Sequence, residues 1–444
     1  MRLTVIAAMF MAALAAGANA APTAHPKNII FFVGDGMGIN ALTAARIYAV
    51  GEDGEMTLDT LPESAFVKTF SNDGQAAESA AGMSAYMTGK KVNNEVVAMH
   101  GGRALTSLAE LAKRRGAALG VVTTTRVTDA TPAAVFAHVR QRQMEADIAA
   151  ALVPGGAGYN RALGPKGIDV LLGGGTRHFL PATRADGRDL LAELRAKGYR
   201  VALDGAQFDA IDGASSAPLV GLFAPGDLAY DAVRDPAREP GLAAMTAKAL
   251  SVLAQHPQGF LLVVEGGMID VALHDSHAKR ALQEITVLDT TLKATIAQMQ
   301  ARDPGLKNTL IVVTADHDHT MMLNGYARRT GKTTATEPGV LGLVRKVADG
   351  APRVDADGMP FTIIGFGVGE HRVTGKRSSA PALTDAIVTA DDYRQEAAVR
   401  SVAGDEAHGG VDVYLGAIGA GAGSFKGTID NTRVFELIKA AAGW

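Results

Sequence analysis

The chain has 444 residues, too many for a minimal domain and ordinary for one large α/β domain with insertions. Hydrophobic residues make up 47% and charged residues 20%, which permits a sizeable core and argues against global disorder. The net charge is −3 with no basic block, which argues against a nucleic-acid-binding surface. The chain has no cysteine, which excludes disulfides, thiolate catalysis and cysteine-ligated metals.

The first twenty residues are typical of an export signal. Arg2 supplies a positive charge, Leu3 to Ala16 is an apolar run too short to span a bilayer, and Ala18-Asn19-Ala20 is a small-x-small cleavage motif. We predict cleavage after Ala20 and export to the periplasm or the medium. Residues 21–444 are predicted to form one catalytic domain that does not span the membrane.

The first chemically informative stretches follow a strand and open a helix. Asn28 to Val33 is an apolar run that predicts a buried strand, and Asp35 follows it in a glycine-rich turn. Small residues from Ala76 predict a helix with Ser79 in its first turn. Free backbone N–H groups and the positive dipole end favour an oxyanion there, although most serines at such positions are N-caps.

A second segment combines a helix start with an arginine. Asp129 to Pro132 predicts a helix with proline at its first position, and Arg142 lies about three turns further along. Such an arginine is usually solvated. Its planar guanidinium becomes informative if the substrate carries phosphate.

The stretch from Phe260 to His274 carries the densest set of reactive side chains. Phe260 to Val264 predicts a strand buried on both faces, and Glu265 follows it. Asp270 and His274 are four residues apart, which places both on one face of a helical turn. Carboxylates and an imidazole suit a divalent ion better than a nucleophile–base pair.

The last third of the chain repeats this pattern. Asn308 to Thr314 predicts a buried strand that ends in the sequence Asp316 to His319. We interpret Met321 to Val402 as a surface insertion before His408, which lies in a glycine-rich turn. Val411 to Ile418 is predicted to be the last strand.

Alternating strands and helices predict an α/β fold with a mostly parallel central sheet covered by helices on both faces. The carboxyl ends of such strands meet at one edge, so the polar turns are predicted to converge there. Two zinc ions about 4 Å apart would clamp the attacking and leaving oxygens of a phosphoryl transfer. The predicted metal ligands are Asp270, His274 and His408 for one zinc, Asp35, Asp316 and His317 for a second, and Asp35, Thr131 and Glu265 for magnesium.

The sequence resembles alkaline phosphatases. The blocks FFVGDGMG, ESA, DATPAAVFAHVRQR, VEGGMID, VTADHDH and AHGGVDV occur in the order of that family and extend from about Asn28 to the last predicted strand. The resemblance implies an alkaline-phosphatase-like fold, broad hydrolysis of small phosphate monoesters and a homodimer. It also implies that Ser79 is transiently phosphorylated, that Arg142 grips the phosphoryl oxygens, and that Asp129 and His319 orient ligands and metal-bound water.

Two positions depart from the family pattern. Glu78 stands before the serine where the family usually has aspartate, so its hold on Arg142 is expected to differ. Val271 stands where relatives often carry lysine or histidine, which removes a polar group near the phosphate.

Val271 and the insertion keep open an alternative, a phosphodiesterase on the same metal-site architecture. A sulfatase is less favoured, because its usual motif with a modified cysteine or serine is not found. A non-catalytic exported metal- or phosphate-binding protein is the third reading, and it would have no need of Ser79.

Overall fold

The computed structural model describes residues 25–402 and 407–444, so the predicted export signal lies outside the described residues. The helices are α1 Ile39–Val50, α2 Ser79–Thr88, α3 Leu108–Arg114, α4 Ala130–Phe136, α5 Glu145–Ala150, α6 Leu190–Ala196, α7 Gly205–Asp209, α8 Leu242–Leu253, α9 Met268–His274, α10 Ala278–Arg302, α11 Asp385–Val388 and α12 Asn431–Ala442. None of these described helices is long and apolar enough to cross a membrane.

The strands range from two to nine residues and alternate with the helices through most of the chain. They are β1 Asn28–Gly34, β2 Glu63–Lys68, β3 Met99–His100, β4 Arg103–Ala104, β5 Ala118–Arg126, β6 Val170–Gly174, β7 Arg200–Ala202, β8 Leu219–Leu222, β9 Phe260–Gly266, β10 Thr309–Thr314, β11 Asp318–His319, β12 Met321–Leu323, β13 Ile364–Gly369, β14 Ala397–Arg400, β15 His408–Gly409, β16 Val413–Gly419 and β17 Gly427–Asp430.

Ten strands form one central sheet in the order β17-β2-β16-β10-β1-β9-β5-β6-β8-β7. Neighbours pair in parallel except at β16, which is antiparallel to both β10 and β2. Helices α1, α8, α9 and α10 pack together, and α2, α3, α4 and α12 form a second group. The fold is therefore the predicted mostly parallel sheet between helical layers.

The register of the central strands fixes where the reactive turns lie. Val33 in β1 is level with Glu265 in β9 and with Thr314 in β10. Asp35 lies two residues after Val33, and Asp316 lies two residues after Thr314. The strands are buried on both faces, so a shift in register would carry their apolar side chains out of their packing partners.

Two small sheets complete the fold beyond β10. Strands β12, β13 and β14 form a three-stranded sheet within the segment predicted to be an insertion. Strands β11 and β15 pair antiparallel, with His319 opposite His408. This pairing brings His408 to the carboxyl edge of the central sheet. The division into one catalytic domain with an insertion at 321–402 stays a prediction.

The predicted long helix through Arg142 is wrong. Helix α4 ends at Phe136, Pro132 is its third residue, and Arg142 lies in a turn beyond it. The helix does not continue because the backbone beyond Phe136 hydrogen-bonds to another segment. Val139 and Val97 form two backbone hydrogen bonds, at 3.1 and 3.2 Å. The Arg142 N–H then donates to the carbonyl of Glu95 at 2.8 Å.

The prediction that Val411 to Ile418 is the last strand is also wrong. That segment corresponds to β16, and β17 follows it as a four-residue strand parallel to β2. Neither β17 nor its neighbour β2 has the continuous apolar run that marks the central strands. In β2 buried and exposed residues alternate, and β17 has no fully buried residue.

Glu284 in α10 generates a prediction about stability and pH. It is 3% exposed and accepts a hydrogen bond from the backbone N–H of Asp231 at 2.6 Å. Burial raises the pKa of Glu284 to about 7, so folding disfavours its ionised form. Stability should therefore fall as pH rises from about 4.5 to 7, with a full cost of about 3 kcal/mol above that window.

Glu284→Gln keeps an acceptor for Asp231 and removes the charge. In urea unfolding with EDTA present, we expect the variant to be more stable than the original at pH 9 and to lose that advantage at pH 5. The exposed Glu436→Gln is the control for losing one negative charge. An equal effect of Glu284→Gln at both pH values would contradict the prediction.

Candidate active site

Three histidines and one aspartate meet at the carboxyl edge of the sheet. Asp270, His274, His319 and His408 each offer a ligand atom within 4.8 Å of the others. His319 Nε2 lies 2.6 Å from Asp270 Oδ1, and His408 Nε2 lies 3.1 Å from His274 Nε2. Burial disfavours ionised Asp270, but His274 and the hydrogen bond from His319 hold its pKa well below the usual range. The neighbouring imidazoles thus favour the ionised form of Asp270, which is the form that binds a cation.

A second group lies beside the first and is fully buried. Asp35, Asp316 and His317 offer ligand atoms within 4.8 Å of one another. His317 Nε2 is 3.2 Å from Asp35 Oδ1, 3.5 Å from Asp316 Oδ2 and 3.3 Å from the hydroxyl of Ser79. The rings of His317 and His408 stack with centroids 3.7 Å apart, which joins the two groups. We call them the Asp270 cluster and the Asp35 cluster.

Thr131 and Glu265 extend the Asp35 cluster. The Thr131 hydroxyl donates to Asp35 Oδ2 at 3.2 Å. Glu265 lies outside both clusters as defined by ligand distance, and the Thr125 hydroxyl donates to its Oε2 at 3.4 Å. Glu265 Oε1 and Asp35 Oδ1 are buried and accept no hydrogen bond. Such orphaned carboxylate oxygens have the chemistry that a hard cation satisfies.

The electrostatics of these carboxylates also favour a bound cation. Burial, followed by repulsion from Asp270, raises the pKa of Asp35 well above its usual range. Burial and the charge of Asp35 raise the pKa of Asp316 to about 8 and that of Glu265 well above normal. Like charges in a buried site disfavour ionisation until a cation offsets them. The residues present therefore fit metal ions in both clusters.

Ser79 is the first residue of helix α2 and is 2% exposed, as expected for a residue in the first helical turn. Glu78, rather than Ser79, is the N-cap, and its carboxylate accepts from the N–H groups of Ala80 and Ala81. Those two donors are consequently not free for an oxyanion, which corrects the expectation from sequence. An anion at Ser79 would therefore be bound by groups other than those two donors.

Arg142 lies against the same Glu78 carboxylate. One guanidinium nitrogen lies 2.6 Å from Glu78 Oε2 and another lies 2.9 Å from Asp129 Oδ1. Glu78 Oε1 also accepts from the N–H of Glu95 at 2.8 Å. The longer side chain of Glu78 thus caps α2, anchors the Glu95 loop and holds Arg142. Two ion pairs leave part of the five-donor guanidinium for phosphoryl oxygens.

The structure brings together nearly every residue that the sequence singled out. His319, expected to orient a ligand, is itself a member of the Asp270 cluster. Sequence reasoning missed Thr125, which contacts Glu265, and Arg126, which contacts Asp129. Both lie in the run TTTR at the end of β5, where three threonines and an arginine on a strand otherwise built from apolar residues were the available signal.

Glycines pack tightly against the loop that carries His317 and His319. A Cβ on Gly38 would lie 1.3 Å from Asp318 Oδ1, and one on Gly409 would lie 2.2 Å from Asp318 Oδ2. A Cβ on Gly36 would likewise lie 2.5 Å from the ring of His319. No side chain fits at these positions without moving a residue of the site.

Fold and site together define a metal-dependent hydrolase that acts on an anionic group. The described carboxylates and imidazoles suit divalent cations, a buried serine lies against His317, and an arginine lies against the residue before that serine. The ligands come from the carboxyl ends of central strands, where open α/β sheets bind their substrates.

Comparison with known proteins makes the assignment specific. Residues 26–444 match the family described as Alkaline phosphatase. The tissue-nonspecific alkaline phosphatase isozyme of Rattus norvegicus is 34% identical over 438 residues, covering 88% of this chain and 79% of that protein. The alkaline phosphatase of Gadus morhua is 32% identical over 463 residues, covering 94% and 91%. The chain belongs to the alkaline phosphatase family and is a phosphomonoesterase.

Solved structures agree. Thermus thermophilus alkaline phosphatase has a TM-score of 0.70 and 28% identity, covering 94% of this chain and 92% of that chain. A variant of the TAB5 alkaline phosphatase with Mg bound has a TM-score of 0.67 at 23% identity, covering 95% and 99%. The family implies metal cofactors, and the two clusters are the candidate sites.

Gly38→Ala tests the packing around Asp318. Gly38 has φ −69°, which alanine adopts without strain, so the penalty comes from the contact with the side chain of Asp318. We expect a loss of about 1–3 kcal/mol in stability and weaker metal retention after dialysis. Gly325→Ala is the control, because a Cβ there meets nothing within 4 Å. Thermal unfolding and elemental analysis that match the original protein would contradict the prediction.

Proposed function

We propose that the chain is an exported alkaline phosphatase of broad specificity that forms a covalent phosphoserine at Ser79. The observation that carries the proposal is the Ser79 hydroxyl, buried 3.3 Å from His317 Nε2 and beside the Asp35 cluster. A binding protein would have no need of a hydroxyl aimed at this point, whereas a nucleophile must face the metal site.

The reaction has two displacements. The Ser79 oxygen attacks phosphorus, the bond from phosphorus to the substrate oxygen breaks, and the alcohol leaves with a proton. Water then attacks the phosphoserine, releases inorganic phosphate and restores the Ser79 hydroxyl. Arg142, held by Glu78 and Asp129, donates hydrogen bonds to the phosphoryl oxygens in both steps.

The proposal includes two zinc ions and one magnesium ion. When bound, they supply Lewis-acid stabilisation of the attacking and leaving oxygens and lower the pKa of bound hydroxyl groups. The zinc ligands would be Asp270, His274 and His408 at one site and Asp35, Asp316 and His317 at the other; Asp35, Thr131 and Glu265 would hold magnesium. The Mg bound in the TAB5 variant supports a magnesium site in this fold.

His319 is proposed to orient Asp270 through their 2.6 Å hydrogen bond, as befits a residue that supports a ligand. Asp129 similarly holds Arg142. Export with cleavage after Ala20, followed by assembly into a homodimer, completes the proposal. Both rest on the signal-like N-terminus and on the family resemblance.

The alternative is a phosphodiesterase activity at the same site. Val271 follows Asp270 directly and is half-buried, so it places an apolar side chain where the family often has a charged or polar one. A less polar surrounding would tolerate a second ester group on phosphorus. The rate ratio between para-nitrophenyl phosphate and bis-para-nitrophenyl phosphate decides between the two readings.

Hydrolysis of para-nitrophenyl phosphate at alkaline pH tests the proposal. The protein is assayed as purified, after EDTA, and after zinc and magnesium are restored. We expect EDTA to abolish activity and the metals to restore it, with the monoester preferred. No activity in the fully metallated protein would overturn the assignment of this chemistry to the site.

Ser79→Ala isolates the covalent step. We expect roughly a thousandfold or greater loss of kcat/KM, because the nucleophile is removed while the metal ligands remain. Ser84→Ala on the same helix is the matched control and should keep the chemistry. Acid quenching with radiolabelled substrate should trap phosphate on the original protein and not on Ser79→Ala. Labelled Ser79→Ala, or full activity in it, would exclude Ser79 as the nucleophile.

A further inference from the structure

Arg126, the last residue of strand β5, lies at the centre of an ion-pair network beside the site. Its Nε lies 3.0 Å from both carboxylate oxygens of Glu145, and one terminal nitrogen lies 3.0 Å from Asp227 Oδ1. The other terminal nitrogen lies 2.9 Å from Asp129 Oδ1. One guanidinium therefore contacts three carboxylates, and no part of the mechanism above uses it.

Asp129 links this network to Arg142. The same oxygen, Asp129 Oδ1, accepts a hydrogen bond from Arg126 at 2.9 Å and from Arg142 at 2.9 Å. Asp129 is 9% exposed, so solvent contributes little to screening this contact. A single carboxylate oxygen thus bridges two arginines, of which only Arg142 is proposed to contact substrate.

Sharing this oxygen has a consequence for phosphate binding. Arg142 is already paired with the carboxylates of Glu78 and Asp129, and each reduces the positive potential that it offers to a phosphoryl group. A second cation on Asp129 offsets part of that carboxylate's charge and fixes its orientation. Without Arg126, Asp129 would act on Arg142 alone and hold it more tightly.

The position of Arg126 is itself fixed from the other side. Glu145, at the start of helix α5, also accepts from the Thr128 hydroxyl at 2.5 Å and contacts His178 Nε2 at 2.9 Å. The backbone N–H of Arg126 donates to Asp227 Oδ1 at 2.8 Å. These contacts hold the guanidinium in place, so a movement of the Asp129 side chain would break its hydrogen bond with Arg126.

We propose that Arg126 is a positioning residue for phosphate binding, which acts through Asp129 to set the geometry and free charge of Arg142. The proposal rests on the proposed function, since it assigns the partner of the arginine that binds phosphate. It is distinct from a role in stability alone, because its effect depends on the carboxylate of Asp129.

A double-mutant cycle tests the proposal. Calorimetric titration of the zinc- and magnesium-loaded protein with inorganic phosphate requires no turnover. Arg126→Met is expected to weaken phosphate binding about tenfold, the size of a typical coupling between groups in one network. In an Asp129→Asn background the same substitution should change phosphate affinity less than about twofold, since the bridging charge is gone. Metal content and thermal unfolding are measured for every variant.

Arg377→Met is the matched control. Arg377 also pairs with two carboxylates, Asp355 and Glu396, and its side-chain partners all lie within residues 355–396. It should lose stability without losing phosphate affinity. If Arg126→Met does not fold, Arg126→Lys decides, because lysine keeps the charge but cannot bridge three carboxylates. We expect at least about threefold weaker phosphate binding in that variant.

The outcomes separate this inference from the proposed function. Unchanged phosphate affinity in a folded, metal-loaded Arg126 variant would overturn it. So would an equal loss in the presence and absence of the Asp129 carboxylate. An original protein that binds no phosphate and hydrolyses none would overturn the proposed function, and this inference with it.

Discussion

Burial of several carboxylates at one edge of the sheet is the constraint on which the site depends. Asp35 is 2% exposed, and Asp316 and Glu265 are fully buried. Register brings them to one level, where their charges repel and burial disfavours ionisation. The folded chain therefore brings together carboxylates whose ionised forms repel one another without a cation and are stabilised when cations bind. Metal affinity and folding free energy are linked by this geometry, because the cation stabilises the folded chain in which the ligands converge.

Charges of opposite sign alternate through a chain of contacts beside that edge. Glu78 and Asp129 each contact Arg142, and Arg126 contacts Asp129. Each group is held by the next, so Arg142, the proposed phosphate-binding arginine, is positioned by its ion-pair partners rather than by a helix. The Glu95 loop contributes to the same arrangement: its backbone N–H donates to Glu78 and its carbonyl accepts from Arg142. Glu95 has φ 71°, an unfavourable conformation for its residue type, which is commonly found at functional sites.

The sequence predicted the central fold and the convergence of its polar turns well, because both depend on local patterns. Apolar runs such as Phe260 to Val264 identify strands buried on both faces, and the turns that follow carry the ligands. Contacts between distant segments were not predictable. The end of α4 depends on the pairing of Val139 with Val97, whereas the run from Ala133 to Ala137 alone favours a continued helix. The place of His408 depends on a two-residue pairing across 89 positions, and the role of Arg126 depends on one shared oxygen.

Gly38 and Gly409 come from opposite ends of the chain and enclose the side chain of Asp318 between them. Neither residue offers a functional group, yet the space for the loop that carries Asp318 depends on both having no side chain. The sequence of this enzyme is therefore also constrained at positions where the fold leaves no room for a side chain. A substitution at Val271 changes one half-buried side chain, whereas a larger residue at either glycine must displace Asp318, so these two positions restrict sequence change as candidate ligands do.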